Sequence, residues 1–215
     1  MKMRRWLFGV VLCFLTGPAL AQDQDQPGTF DYYVLAISWS PNWCERTGNA
    51  RNSPQCANDR DLGWSLHGLW PQYDRGWPSY CYTDAAGPTT AVANRMAEIM
   101  GTEGLVLYQW EKHGTCSGLE APVFFDRARS AYEAIARPQA HRKITQFQRL
   151  AAAEIEEAFL AANPQLDAGQ ITVTCKEQQI QEVRVCLSKD LTPRACGRDV
   201  SRECTLENAE FHPIP

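Results

Sequence analysis

Three things are missing from this chain of 215 residues: an apolar run long enough to cross a membrane, a surplus of basic side chains, and a spacing that gathers metal ligands. The longest apolar stretch, residues 6–15, is about half of the roughly 20 residues a spanning helix needs, so no membrane association of the mature chain is expected. Lys and Arg total 21 against 25 Asp and Glu, a formal net charge of −4, which excludes the broad basic surface that tracks a nucleic-acid duplex. No Cys-x-x-Cys pair occurs, and the four histidines stand apart at positions 67, 113, 141 and 212, so neither a metal site nor a cofactor is expected. No Pro/Ser/Gly linker, charge run, internal repeat or low-complexity tract divides the chain.

What is present begins with a leader. A positive Met-Lys-Met-Arg-Arg segment, the short apolar run and the small-x-small site Ala19-Leu20-Ala21 have the layout of a secretory signal peptide, with cleavage expected after Ala21. Residues 1–21 read as signal peptide and residues 22–215 as a single domain, soluble, monomeric, and periplasmic or secreted. Loss of Lys2, Arg4 and Arg5 leaves 18 basic against 25 acidic side chains, a net charge of −7. A protein so acidic would grip nucleic acid locally, by aromatic stacking and a small cationic site. Cys13 falls within the leader, where the preceding Leu12 argues against lipid modification. The remaining eight cysteines, an even count in an exported chain, read as four disulfides. Eight cysteines allow on the order of a hundred pairings; the clustering of Cys175, Cys186, Cys196 and Cys204 suggests two nested bridges.

Residues 30–39 (FDYYVLAISW) are rich in aromatic and β-branched side chains and run into Ser40-Pro41-Asn42, which predicts a buried strand ending in a turn. Residues 62–69 predict a second strand. Apolar positions at three- and four-residue spacing predict helices over residues 89–100, 122–136 and 145–162, with Pro122 near a start and Pro138 and Pro164 past ends. Residues 171–175 and 180–187 read as a late hairpin. Strands at both ends and helices between them imply an α+β fold, a mainly antiparallel sheet with packed helices.

Two segments carry chemistry. In WSLHGLWP, residues 64–71, His67 leaves the second strand beside Gly68 and between two tryptophans; alone, such a histidine is more often a packing residue than a catalyst. In YQWEKHGTCSG, residues 108–118, a short helix opened by Gly104 would run to about His113 with Gly114 as its stop, placing Gln109, Lys112 and His113 on one face. Taken together they match what RNA cleavage by the ribose 2′-hydroxyl requires: a base, an acid, and a cation beside the non-bridging oxygens. Two histidines and Lys112 meet all three needs without a metal. Trp70, Tyr73, Trp77 and Tyr80 lie close enough in sequence to His67 to stack a base.

HGLWP and WEKHGTC resemble the two active-site segments of the ribonuclease T2 family, and the likeness extends to YYVLAISWSPNWC (residues 32–44), NPQL (163–166) and EVRVCL (182–187). The resemblance implies an α+β fold and the disulfides Cys81–Cys116, Cys175–Cys204 and Cys186–Cys196, which leaves Cys44 with Cys56. It also implies His113 as general base, His67 as general acid and Lys112 as phosphate stabiliser, with Trp70 and Trp77 at base-stacking positions. The chain departs from the family where His-Glu usually precedes the tryptophan of the second segment. Here Tyr108 and Gln109 stand there, able to bind phosphate through a phenol and an amide but with no carboxylate chemistry, a change worth on the order of 10²-fold in rate.

Two rivals remain. Gly114-Thr115-Cys116-Ser117-Gly118 has the Gly-x-nucleophile-x-Gly form of an α/β-hydrolase elbow, but it follows a helix where the elbow needs a strand, and a free Cys116 would leave an odd cysteine. The other is a binding module on the same scaffold, silenced at Tyr108 and Gln109. His141 and His212 are expected at the surface. The expected activity is transphosphorylation of single-stranded RNA to a 2′,3′-cyclic phosphate and then a 3′-phosphate, with DNA refractory.

Overall fold

Alternation along the first strand decides the two sides of this fold. The computed structural model describes residues 25–214, so the expected signal peptide lies outside the described residues. The elements are β1 (Tyr32–Trp39), α1 (Ser40–Trp43), β2 (Trp64–Gln72), α2 (Thr90–Met100), α3 (Glu103–Lys112), α4 (Ala121–Ala134), β3 (Gln148–Leu150), α5 (Ala152–Ala162), β4 (Ile171–Lys176), β5 (Gln179–Leu187) and β6 (Ala209–Phe211). They form one six-stranded sheet in the order β2-β1-β5-β6-β3, with β4 also on β5. Every pairing is antiparallel except the short β5–β6 contact. The fold is α+β.

Successive side chains of a strand point to opposite faces. Tyr33, Leu35, Ile37 and Trp39 of β1 join Leu66, Leu69, Val183 and Val185 in the main core, under Met96, Phe124, Phe125 and Phe159 of the helices. Tyr32 and Val34 face the other way, into a smaller cluster with Cys186 and Val200, against which Trp70 packs. This second face carries the site.

Helix starts follow the caps written in the sequence. Thr89 accepts the Val92 N–H and Thr102 the Leu105 N–H, opening α2 and α3, and a proline sits in the first turn of α4. The helix expected over residues 145–162 is corrected: it begins at Ala152, where the Glu154 carboxylate accepts the Ala151 N–H at 2.9 Å. Gln148, Arg149 and Leu150 instead pair with Phe211, Glu210 and Ala209, a strand that no local pattern announces. The late hairpin turns through Glu177 and Gln178, both at positive φ (51° and 68°), as a two-residue turn that keeps the flanking twist requires.

Four disulfides close the fold: Cys44–Cys56, Cys81–Cys116, Cys175–Cys204 and Cys186–Cys196, the last nested within the third. Cys116 is bonded and fully buried behind a helix, so the hydrolase-elbow reading fails. Gly114 is not a left-handed stop. His113 caps α3, residues 114–117 continue as a 3₁₀ turn, and Gly118 takes the left-handed φ of 72°. Gly114 is small for another reason, since a Cβ there would collide with the Trp110 ring. His141 and His212 are half-buried rather than at the surface; the His141 ring faces Phe211. No helix among the described residues is long and apolar enough to cross a membrane.

Candidate active site

A β-bulge delivers His67. Ala36 pairs with Gly68 and Ile37 with Leu66, so His67 is the extra residue of β2 with no partner on β1. Such an insertion bends the strand and re-aims a side chain. Leu66 and Leu69 stay in the core while His67 and Trp70 both serve the opposite face. Gly68 must lack a side chain, because a Cβ would run into Gln109 Oε1 and Trp70 Nε1.

Behind His67 stands a residue that sequence reasoning missed. Glu182 of β5 is 1% exposed and its Oε1 lies 2.5 Å from His67 Nδ1. Its Oε2 receives Nε (2.9 Å) and Nη2 (2.8 Å) of Arg184, and Ser38 Oγ donates to Oε1 at 3.3 Å. Burial alone would raise this carboxyl, but His67 and Arg184 outweigh it and hold the group well below the usual carboxylate range. With a carboxylate at Nδ1, that nitrogen is the N–H and Nε2 is left free for chemistry. The signal was available: Glu182 and Arg184, two apart in the strand IQEVRVCL, share one strand face, and a buried carboxylate demands a partner.

The second group comes from α3. Gln109, Lys112 and His113 all reach one cavity of about 290 Å³, which His67, Trp70, Trp77, Tyr108, Glu182 and Arg184 also line. Trp70 stands between the two histidines, stacked on His113 (centroids 5.2 Å apart, planes 25° apart) and edge-on to His67 (5.3 Å, 81°). Its Nε1 donates to Gln109 Oε1 at 2.8 Å, so the Gln109 amide nitrogen is the atom left free for a ligand. One indole face is thus covered by His113. The Arg184 guanidinium also lies over the ring, 5.3 Å from its centroid, so the exposed Trp77 indole is what remains for stacking.

His113 is buried, and its Nδ1 has no hydrogen-bond partner among the described residues. Burial first, then the neighbouring charges of Lys112 and His67, push the ring down to about 3, so it is neutral at neutral pH. The Lys112 ammonium lies 5.6 Å from the centroid of the Tyr108 ring. The Tyr80 hydroxyl beside Tyr108 lowers that phenol; burial opposes the shift and Lys112 assists it. A second cavity of about 150 Å³ shares His67 and Glu182 with the first and is walled by Ser38, Trp43 and Leu105, so His67 stands where two compartments meet. Tyr73 is not available for stacking: it packs against the core and hydrogen-bonds Asp25 through its hydroxyl.

Comparison with known proteins gives a consistent result. The model of the Ribonuclease T2 family matches residues 30–196. A ribonuclease of Aeromonas hydrophila is 42% identical over 122 residues, covering 55% of this chain and 54% of that one. A probable ribonuclease of Haemophilus influenzae is 31% identical over 155 residues, covering 66% of this chain and 54% of its own. The chain thus spans about half the length of the curated relatives it matches. Among solved structures, an RNase-related protein from Calystegia sepium superposes with a TM-score of 0.62 at 21% identity, covering 86% of this chain and 97% of that one. RNase NT in complex with 5′-AMP does so at 0.60 and 20%, covering 86% and 98%. These two likenesses establish the fold.

Proposed function

The chain belongs to the ribonuclease T2 family, and on that premise we propose that it is an endoribonuclease that cleaves single-stranded RNA by transphosphorylation. The observation that carries this reading is the pair His67 and His113, set on either side of Trp70 in a cavity that also holds Lys112 and Arg184.

His113, neutral at working pH, takes the proton of the ribose 2′-hydroxyl. The 2′-oxygen attacks phosphorus, the P–O5′ bond breaks, and His67, entering the step as the imidazolium paired with Glu182, gives its Nε2 proton to the departing 5′-oxygen. Lys112 and Arg184 face the charge that builds on the non-bridging oxygens, and the Gln109 amide donates to one of them. The product is a 2′,3′-cyclic phosphate and a 5′-hydroxyl. In the slower second step the histidines exchange roles, water replaces the 5′-oxygen, and a 3′-phosphate results. Glu182 touches no substrate; it is a positioning residue for His67 and Arg184. The two cavities meeting at His67 suit the nucleosides on either side of the scissile phosphate, with Trp77 as the exposed stacking surface in the larger. These side chains fill every chemical role, so the reaction needs no metal, and DNA, lacking the 2′-hydroxyl, is refractory.

Four disulfides belong to an oxidising compartment. With the leader expected at residues 1–21, they support a mature domain of residues 22–215 that acts in the periplasm or outside the cell.

The test is cleavage of a labelled single-stranded RNA in excess EDTA by the wild type and by His113→Ala, with the product ends identified. Cyclic phosphate ends from the wild type and loss of activity by several orders of magnitude in the variant are expected. If the folded wild type leaves RNA intact yet binds it, Tyr108 and Gln109 have silenced the site and the binding-module reading replaces this one.

A further inference from the structure

Among the described residues, seven large apolar or aromatic side chains stand exposed, and five of them, Trp77, Tyr80, Tyr82, Leu107 and Tyr108, belong to the segment after β2 and to α3. Single exposed aromatics are ordinary, but a concentrated row marks a binding surface. Trp77 and Tyr108 line the catalytic cavity, and the row continues from Tyr108 to Tyr80, which neighbours it closely enough to lower its phenol. Lys112 adds a cation 5.6 Å from the Tyr108 centroid.

Tyr80 is held in place. Its N–H donates to the Lys112 carbonyl at 3.0 Å, and the adjacent Cys81 is bonded to Cys116. Its φ of 52° is left-handed, a conformation that a bulky side chain adopts rarely and at a cost. These restraints fix the backbone that carries a ring 59% exposed and outside the core.

We propose that Tyr80 and Tyr108 form a further stacking subsite, taking a base of single-stranded RNA that lies beyond the two nucleosides joined by the scissile phosphate. The inference rests on the ribonuclease reading and deepens it. RNA is the occupant because the row is continuous with the catalytic cavity and because a base can stack on an aromatic face whatever its identity. With 21 basic against 25 acidic side chains the chain has no basic surplus to track distant nucleotides, which favours stacking as the means of holding them. The subsite makes the enzyme prefer longer strands to dinucleotides without adding base specificity.

The test uses Tyr80→Asn, because asparagine tolerates a left-handed backbone, and Tyr80→Phe, which keeps the ring. Cleavage of a dinucleoside monophosphate and of a hexanucleotide is measured. In parallel, the affinity of a fully 2′-O-methylated hexamer, which cannot be cleaved, is read by fluorescence anisotropy. Tyr80→Asn should lower kcat/KM for the hexamer about tenfold through KM and weaken the methylated hexamer about as much, the factor expected for loss of one stacked base. It should leave the dinucleotide within about twofold, and Tyr80→Phe should behave as wild type. Unchanged hexamer affinity in Tyr80→Asn overturns the subsite, as does an equal loss on the dinucleotide. Since the anisotropy arm needs no cleavage, a protein that binds the hexamer through Tyr80 but cuts nothing would refute the ribonuclease reading and leave the subsite standing.

Discussion

Replacing Glu182 with glutamine separates the work of His67 from the rest of the site. The side chain is 1% exposed, with one oxygen 2.5 Å from His67 Nδ1 and the other on the Arg184 guanidinium. The substitution keeps the volume and removes the charge. Glutamine can accept from Nδ1 through oxygen or donate to it through nitrogen, so the imidazole loses both its fixed tautomer and the counter-charge of its protonated form. A hydrogen bond to a charged group contributes about 1.5–3 kcal/mol, which corresponds to roughly 10- to 150-fold in rate. Two substrates should report it: a dinucleoside monophosphate, whose alkoxide must be protonated as it leaves, and a nucleoside 3′-aryl phosphodiester, whose phenolate leaves unaided. Glu182→Gln should lower kcat by that factor on the first and by less than about threefold on the second, because only the first needs an acid. Equal losses on both would refute His67 as the acid, and no loss on the dinucleotide would refute Glu182 as its positioning residue. Uncovering a buried charge costs about 3–5 kcal/mol of stability, so the double variant Glu182→Gln/Arg184→Gln is measured alongside. It restores charge balance and should keep the same split between substrates.

The remaining predictions concern pH, packing and cross-linking. His113 titrates at about 3 in the folded chain against an ordinary 6.5, so between those values the unfolded chain binds a proton that the folded one does not. Stability should therefore be fully present above the ordinary value and fall as pH drops through the window, by on the order of 5 kcal/mol at most. Urea unfolding at about pH 7 and about pH 4.5 should show His113→Gln losing clearly less than wild type over that interval; equal losses would place the acid sensitivity elsewhere. Gly68→Ala should push Gln109 away from Trp70 and reduce kcat at least tenfold, on the order of what loss of a phosphate-binding donor costs, with little change in secondary structure by circular dichroism. Removing the Cys81–Cys116 bridge, which closes a 35-residue loop, as the double serine variant should cost ~4 kcal/mol of stability in the chain-entropy picture, and kcat should fall because this bridge holds the segment next to His113; calorimetry and initial rates check both.

The candidate site was legible where it is local. HGLWP and WEKHGTC each carry their reactive groups within a few residues, and helical spacing alone brings Gln109, Lys112 and His113 to one face. What escaped depends on partners far along the chain. Glu182 reaches His67 only because β1 lies between β2 and β5 in a defined register, with Ser38 opposite both Ser65 and Glu182. The helix expected from residue 145 fails for a similar reason: residues 148–150 find their hydrogen bonds on β6, some sixty residues later. Gly114 was misread because positive φ and close approach both select glycine, and only the position of the Trp110 ring distinguishes them.

The bulge at His67 joins the two halves of the site. In an unbroken alternation starting from Leu66, Gly68 and Trp70 would share the core face with Leu66, and Trp70 would lie under the helices. The inserted residue reverses that parity. His67 keeps to the side of Ser65, and Gly68, Trp70 and Gln72 turn to the same side, opposite Ala36, Val34 and Tyr32. Trp70 can then meet both histidines and Gln109, and a histidine from the sheet stands across it from a histidine at the end of α3. The same face must bury Glu182, which an apolar sheet tolerates only because His67 and Arg184 offset its desolvation. A carboxylate of this kind adds little to stability against an apolar residue of equal volume. On the proposed mechanism, its place in the fold is explained by the proton that His67 has to carry.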